Sequence, residues 1–276
     1  MIIAQLTDLH ARPRGELSYG GLDTAARLRR AVDMLLASDP APDCVLVTGD
    51  LTDRGLPEEY EQVAENLGRL PMPVFVLPGN HDRREMLREC LAGRYGYLRD
   101  CGDFLHYVVE EFPVRLIGLD TVADGEDGGE LCHAREAWLA ERLREGAGRP
   151  TLIFMHHPPF LTGITGMDSI MCRTSPGLAE LIRCHPEVER VVSGHYHRPI
   201  TVRWAGTVGF VTPGLGLPVA LNLQPGAPTR FNEEPPAYAI HAWQPETGMV
   251  SHLVPVGAFG TAREYPPSAE SSGARP

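Results

Sequence analysis

Nine polar residues stand where short apolar runs of the chain end. "TDLH" supplies Asp8 and His10, "TGDLTD" Asp50, "PGNHD" Asn80 and His81, "MHHPP" His156 and His157, and "SGHYH" His195 and His197. Carboxylate, imidazole and amide oxygen, with no thiolate among them, suit Mn, Fe, Zn or Co at a reactive centre and argue against a structural zinc knot. In "DLH" and "HYH" the one-residue gap places both side chains on one side of an extended backbone, so each tripeptide is expected to grip an ion from one edge. Each fragment also has a plain structural reading. DxH alone is a capped strand end, TGD an ordinary turn with a helix cap, and one of His156 and His157 reads as a core histidine bonded to backbone. His195 and His197 alone divide evenly between ligands and a polar strand end. In "PGNHD", Gly79 is expected to permit a tight turn that presents two functional side chains, and Asp82 to cap the next helix. The set is more telling than any member, because five strand ends in one chain all carry ligand chemistry.

The elements that must position these residues alternate. "IIAQLT" (2–7) and "DCVLVT" (43–48) read as buried strands. Between them Leu22, Ala25, Ala26, Leu28, Val32, Leu35 and Leu36 recur at helical spacing, giving a right-handed crossover and a parallel pair. A helix from Pro57, the strand "PVFVL" and a helix from about Asp82 to Leu91 follow. "HYVVEEF" and "VRLIGLD" read as adjacent strands, "AREAWLAERLREG" as a helix, "TLIFMH" as a strand, "GLAELIRCH" as a helix and "VERVVSGH" as a strand. After His197 the pattern turns to antiparallel strands, "ITVRWA", "TVGFVT", "YAIHAW" and "MVSHLVPV". In a mostly parallel sheet the carboxyl ends share one edge, where ligands bind, so the polar strand ends are expected to converge. We read 1–258 as a single domain, 213–236 as an irregular Pro/Gly-rich excursion able to cap the site or meet a second subunit, and 259–276 as a disordered tail.

Composition narrows the partners. The 276 residues carry a formal charge of −11, with 43% hydrophobic content, which lacks the basic field that follows a nucleic-acid polymer. No window has the roughly 18 apolar residues of a membrane span, and "MIIAQLTDLH" has no signal-peptide pattern, so a cytoplasmic protein without a membrane partner is expected. The six cysteines form no CxxC pair and read as reduced thiols. An acidic chain still binds a small phosphate ester when cations are the dominant local charges.

The ordered motifs resemble the calcineurin-like metallophosphoesterase superfamily, whose pattern runs DxH, GDxxD, GNHD, an HHPP-type segment and GHxH; the match spans residues 8–197. The resemblance extends to bacterial glycerophosphodiesterases and class III cyclic-nucleotide phosphodiesterases through "RPRGELSYGGLD" and the "GMD" of Gly166–Asp168. It implies an α/β fold, a four-layer α-β-β-α sandwich with two mixed β-sheets. It also implies two metal ions, one held by Asp8, His10, Asp50 and His197, the other by Asp50, Asn80, His156 and His195, with Asp50 bridging. Asp50 and Asn80 thereby belong to the catalytic set. His81 is expected outside the ligands, contacting ester oxygens and protonating the leaving group. Asp53 reads equally as a brace for a ligand or as a turn cap.

The implied reaction is hydrolysis of small phosphodiesters, 3′,5′-cyclic nucleotides such as cAMP or glycerophosphodiesters, by in-line attack of hydroxide. A dianionic monoester calls for additional cationic donors, and near the ligands the sequence offers Arg83, Arg198, Arg12 and Arg14, with Arg173 reachable through folding. A diester is therefore favoured over a phosphomonoester, and a non-catalytic scaffold is disfavoured because every ligand position is filled. Where relatives carry a further His in the penultimate motif strand this chain reads "TPGLGLPVAL" (212–221), and "RFNEEPPAY" follows as a structural loop. Relatives are often dimers or larger, and a homo-oligomer is expected.

Overall fold

The computed structural model describes residues 1–260 and 263. Apart from 259, 260 and 263, the tail expected to be disordered lies outside the described residues. In chain order the elements are β1 (Ile2–Leu6), α1 (Thr24–Leu36), β2 (Cys44–Thr48), α2 (Pro57–Leu67), β3 (Val74–Leu77), α3 (Arg84–Leu91), β4 (Tyr107–Val109) and β5 (Arg115–Leu119). The chain continues through β6 (Gly129–Glu130), α4 (His133–Glu145), β7 (Thr151–Met155), α5 (Thr165–Asp168), β8 (Cys172–Arg173), α6 (Leu178–Arg183) and β9 (Val188–Ser193). It closes with β10 (Ile200–Trp204), β11 (Thr207–Val211), β12 (Ala237–Gln244) and β13 (Gly248–Pro255).

Two mixed sheets result, ordered β13-β12-β1-β2-β3 and β10-β11-β9-β7-β5-β4, with β6 and β8 as a small separate pair. Strands buried on both faces explain the near-continuous apolar runs. In β2, Cys44 and Leu46 face the second sheet while Val45 and Val47 face the helices. In β7, Leu152 and Phe154 point to the seam between the sheets, and Ile153 and Met155 to the outer helices. Leu28, Val32 and Leu35 of α1 and Leu87 and Leu91 of α3 cover the first sheet. Leu139 and Leu143 of α4 and Leu178 and Ile182 of α6 cover the second. The expected α-β-β-α layering is thus present.

The carboxyl-terminal third departs from expectation in its pairing. β10 and β11 are antiparallel to one another, but β11 runs parallel to β9. β12 and β13 do not extend that sheet; β12 pairs antiparallel with β1 and completes the first sheet. The excursion between β11 and β12 holds no helix and only the single bridge Val219–Phe231.

The apolar seam contains one polar knot centred on Gln5 of β1. Its amide nitrogen donates to Thr48 Oγ1 (2.8 Å) and the Ser193 carbonyl (3.1 Å), and its oxygen faces Thr212 Oγ1 (2.5 Å) and His241 Nε2 (3.0 Å). All five residues are buried. Burial holds the His241 imidazole down at about 3, with Arg190 adding to the effect, so it stays neutral and donates to Gln5. Replacing the amide with an alkyl group of similar size strands these partners at roughly 1–3 kcal/mol each. Gln5→Leu is expected to lower unfolding free energy by about 3 kcal/mol in urea titration; a loss under 1 kcal/mol contradicts the knot's importance.

Candidate metal centre

The polar strand ends converge, and they come from both sheets. Asp8, His10, Asp50, Asn80 and His81 follow β1, β2 and β3 of the first sheet; His156, His195 and His197 follow β7 and β9 of the second. The carboxyl edges of two sheets, rather than of one, therefore face the same crevice.

Backbone strain marks the cluster. Asp8 (φ 50°), His10 (44°), Asp50 (47°), His195 (68°) and His197 (49°) all occupy the left-handed region. Non-glycine residues pay about 1–3 kcal/mol each for such conformations, and they persist where surrounding structure enforces them. The extended geometry expected for "DLH" and "HYH" is thus replaced by sharp turns beyond the strand ends. Those turns aim the side chains inward while main-chain bonds tie the loops together: Asp8 N–H donates to the Gly49 carbonyl and His10 N–H to the Asp50 carbonyl, both at 3.0 Å. The role of Gly79 also differs from expectation. Its φ is not positive; a β-carbon there would collide with the Asp50 carboxylate and backbone nitrogen. Glycine is needed for close approach.

Asp8, His10, Asp50 and His197 offer ligand atoms that all lie within 4.8 Å of one another. Asp50 Oδ1 accepts from the His81 N–H (2.9 Å), leaving Oδ2 between His10 Nε2 (3.7 Å) and His156 Nε2 (3.4 Å). His156 Nε2 also lies 3.1 Å from Asn80 Oδ1. Burial disfavours the charge on Asp50, yet His156, His81 and His10 outweigh it and hold the carboxyl well below its ordinary range. Asp8 is likewise lowered: burial opposes its ionisation, and His197 overcomes it.

The imidazoles are oriented from behind. His197 Nδ1 donates to the Leu217 carbonyl (2.6 Å), His156 Nδ1 to the Thr48 carbonyl (2.8 Å), and His195 Nε2 to the Ile170 carbonyl (3.1 Å). His10 Nδ1 lies 3.3 Å from Asp53 Oδ1, whose other oxygen is held by Arg12 at 2.7 Å. Asp53 therefore braces His10 rather than capping a turn. These bonds turn the opposite ring nitrogens toward the site, where each offers a lone pair once its proton is lost. His10 Nε2 and His197 Nε2 stand 3.2 Å apart, an arrangement of facing lone pairs that a proton or a cation between them relieves. The donor set thus fits metal ions.

His157 lies beside His156 and His195 but has no free lone pair: Nδ1 meets Thr121 Oγ1 at 2.8 Å and Nε2 donates to the Asp127 carbonyl at 3.3 Å. Burial, reinforced by His195 and His156, keeps it neutral. It is the core histidine anticipated for one of the pair. Asp82 is not a helix cap. Its carboxylate accepts from the N–H groups of Leu51, Thr52 and Gly79, and from the hydroxyls of Thr52 and Tyr60, locking two ligand-bearing loops; α3 begins at Arg84.

The sequence reading missed the segment Pro213–Leu217. Gly216 N–H donates to the Asp8 carbonyl (2.8 Å), and Arg27 of α1 donates to the Gly216 carbonyl (2.7 Å). A β-carbon on Gly214 would lie 2.7 Å from Asp8 Cβ, and one on Gly216 2.7 Å from His10 Cδ2. The paired glycines of "PGLGL" let backbone lie flat on Asp8 and His10, and this spacing was the available signal. A cleft of about 570 Å³ opens beside the cluster, lined on one side by Asn80 and His81.

Fold and site define a phosphoesterase of the metal-dependent kind, and the chain belongs to the calcineurin-like phosphoesterase family, whose model matches residues 1–199. It is 34% identical over 260 residues to a probable glycerophosphodiester phosphodiesterase of Arcobacter nitrofigilis, covering 94% of each chain. It is 36% identical over 237 residues to a probable cyclic nucleotide phosphodiesterase of Rhodopseudomonas palustris, covering 85% of each. A dimetal phosphatase from Danio rerio has the same fold, with a TM-score of 0.63 at 16% identity over 93% of this chain and 99% of its own.

Asp53→Asn is expected to weaken binding of one ion about 10–100-fold while the other is retained, read by calorimetric titration; equal weakening of both contradicts the brace. Burial opposes a proton on His156, but Asp50 dominates and raises the imidazole to about 9. A metal must displace that proton at pH 7, so affinity at this position is expected to rise with pH, up to about tenfold per unit until pH 9. Titrations in buffers of different ionisation enthalpy should show proton release; none would refute it.

Proposed function

We infer that the chain is a dinuclear metal-dependent phosphodiesterase acting on small phosphodiesters. The observation that carries this is Asp50 Oδ2 set between His10 and His156, with a set of donors on either side. Asp8, His10, Asp50 and His197 hold one ion in this reading, and Asp50, Asn80, His156 and His195 the other. Bound ions of Mn, Fe, Zn or Co supply hydroxide at neutral pH and neutralise the phosphoryl oxygens.

The protein's own groups arrange the rest. His81 Nδ1 donates to the Asp53 carbonyl at 2.8 Å, which fixes the ring and leaves Nε2 for the substrate. Partial desolvation lowers the His81 basicity, but Asp50 and the Asp53 carbonyl prevail and raise it, the direction a general acid requires. In-line departure of an alkoxide toward His81 is consistent with the cleft opening on that side.

Diester chemistry is supported by the fate of the nearby guanidinia. Arg12 is bound to Asp53 and Glu16, Arg14 to Glu65, Arg198 to Glu234 and Arg173 to Glu126. These four are thereby spent and cannot meet the second charge of a monoester at the ligands; Arg83, two residues beyond His81, has no such partner and lines the cleft. The names of the two relatives support glycerophosphodiesters and cyclic nucleotides as substrate classes. A soluble homo-oligomer in the cytoplasm remains our reading; among the described residues no helix is long and apolar enough to cross a membrane.

Asp50→Ala is expected to abolish hydrolysis of bis(p-nitrophenyl) phosphate by Mn- or Co-loaded protein. His81→Ala should keep two ions per chain by metal analysis and lower kcat by about 10²–10⁴-fold. Loss of an ion from the His81 variant, or faster turnover of p-nitrophenyl phosphate than of the diester, overturns this assignment.

A further inference from the structure

The cleft beside Asn80 and His81 carries more charge than the reaction uses. Its lining includes three arginines, Arg54, Arg83 and Arg84. Arg84 is committed to the fold: it forms a two-pronged pair with Asp120 (2.6 and 3.0 Å) and donates to the Val122 carbonyl (2.6 Å). Among the described residues, the Arg54 and Arg83 side chains have no carboxylate within 4 Å and no hydrogen-bond partner, and both are exposed.

Their anchorage is nonetheless defined. Arg54 follows Asp53, whose carbonyl holds His81, and Arg83 lies two residues beyond His81, so both stems start from the loops that fix that histidine. Gly55, at φ +69°, passes so close to Arg83 that a β-carbon would lie 2.7 Å from its Cγ. The Arg83 stem is thereby laid against the loop that carries Arg54. The carboxylates of the same cleft are largely spent: Asp53 on Arg12 and His10, Asp82 on amides and hydroxyls, Asp124 on Arg84, and Glu126 on Arg173. Glu85 and Asp127 remain unpaired, neither within 4 Å of Arg54 or Arg83.

Guanidinium groups bind carboxylate and phosphate through paired N–H donors. The scissile phosphoryl group has the metal centre for its charge, so two free guanidinia at the rim suit a different anion. Resting on the phosphodiesterase reading, we propose that Arg54 and Arg83 form a subsite for a second anionic group, carboxylate or phosphate, carried by the substrate beyond its scissile diester. This favours linear diesters with an acidic substituent over 3′,5′-cyclic nucleotides, whose single charge is the scissile one.

The test uses metal-loaded full-length protein and three p-nitrophenyl phosphodiesters, whose second alcohol is ethanol, glycolate or ethylene glycol monophosphate. The expected result is a kcat/KM at least about tenfold higher for one or both anionic esters than for the ethyl ester, expressed mainly in KM. The preferred ester separates carboxylate from phosphate as the ligand. In Arg54→Gln/Arg83→Gln the anionic-to-ethyl ratio should fall to about one, and Arg54→Lys/Arg83→Lys should restore part of it, with thermal unfolding confirming that each variant is folded. Equal kcat/KM for the three esters in the native protein, or a preference that survives the double Gln substitution, overturns the subsite. If no ester is hydrolysed, the phosphodiesterase reading fails instead, and calorimetric binding of the same three esters decides the subsite by the same ranking.

Discussion

An ionised carboxylate buried where the two sheets meet is the condition on which this molecule's architecture turns. Asp50 is 2% exposed and stays charged because imidazoles surround it, and isolated burial of such a charge is among the costliest events in folding. The compensation is distributed. The His81 amide meets one oxygen, His10 and His156 flank the other, and Gly79 removes the side chain that would exclude them. Asp82 then holds the loops after β2 and β3 at the separation this packing requires.

Much of that was legible from residue type and spacing. The strands ending at Leu6, Thr48, Leu77, Met155 and Ser193 follow from apolar runs bounded by polar residues, and the ligand chemistry follows from carboxylates and imidazoles at those boundaries. Pairing across long range was less accessible. β12 joins β1 across more than two hundred residues, and alternation in "YAIHAW" specifies two faces without naming the neighbour. Local conformation misled as well. A strand end predicts extended backbone, whereas the demand that Asp8 and His10 both point inward forces positive φ at each.

Secondary contacts were the least visible. Asp82 carries the ordinary signature of a helix cap, a carboxylate just before a helix. Its capture by Leu51 and Thr52 depends on a loop about thirty residues away, and by Tyr60 on α2. The Leu217 carbonyl that orients His197, and the glycines that let it approach, sit in a stretch whose composition reads only as irregular. A backbone acceptor has no sequence signature beyond the room made for it.

On the assignment proposed above, the two ion positions each draw donors from both sheets: Asp8, His10 and Asp50 with His197, and Asp50 and Asn80 with His156 and His195. Neither coordination shell is complete until the sheets have docked. Without the second sheet, the first supplies only Asp8, His10, Asp50 and Asn80 to these positions, a weak and unselective chelator. On that assignment, tight ion binding and closure of the seam are one event, and the bound ions oppose separation of the sheets.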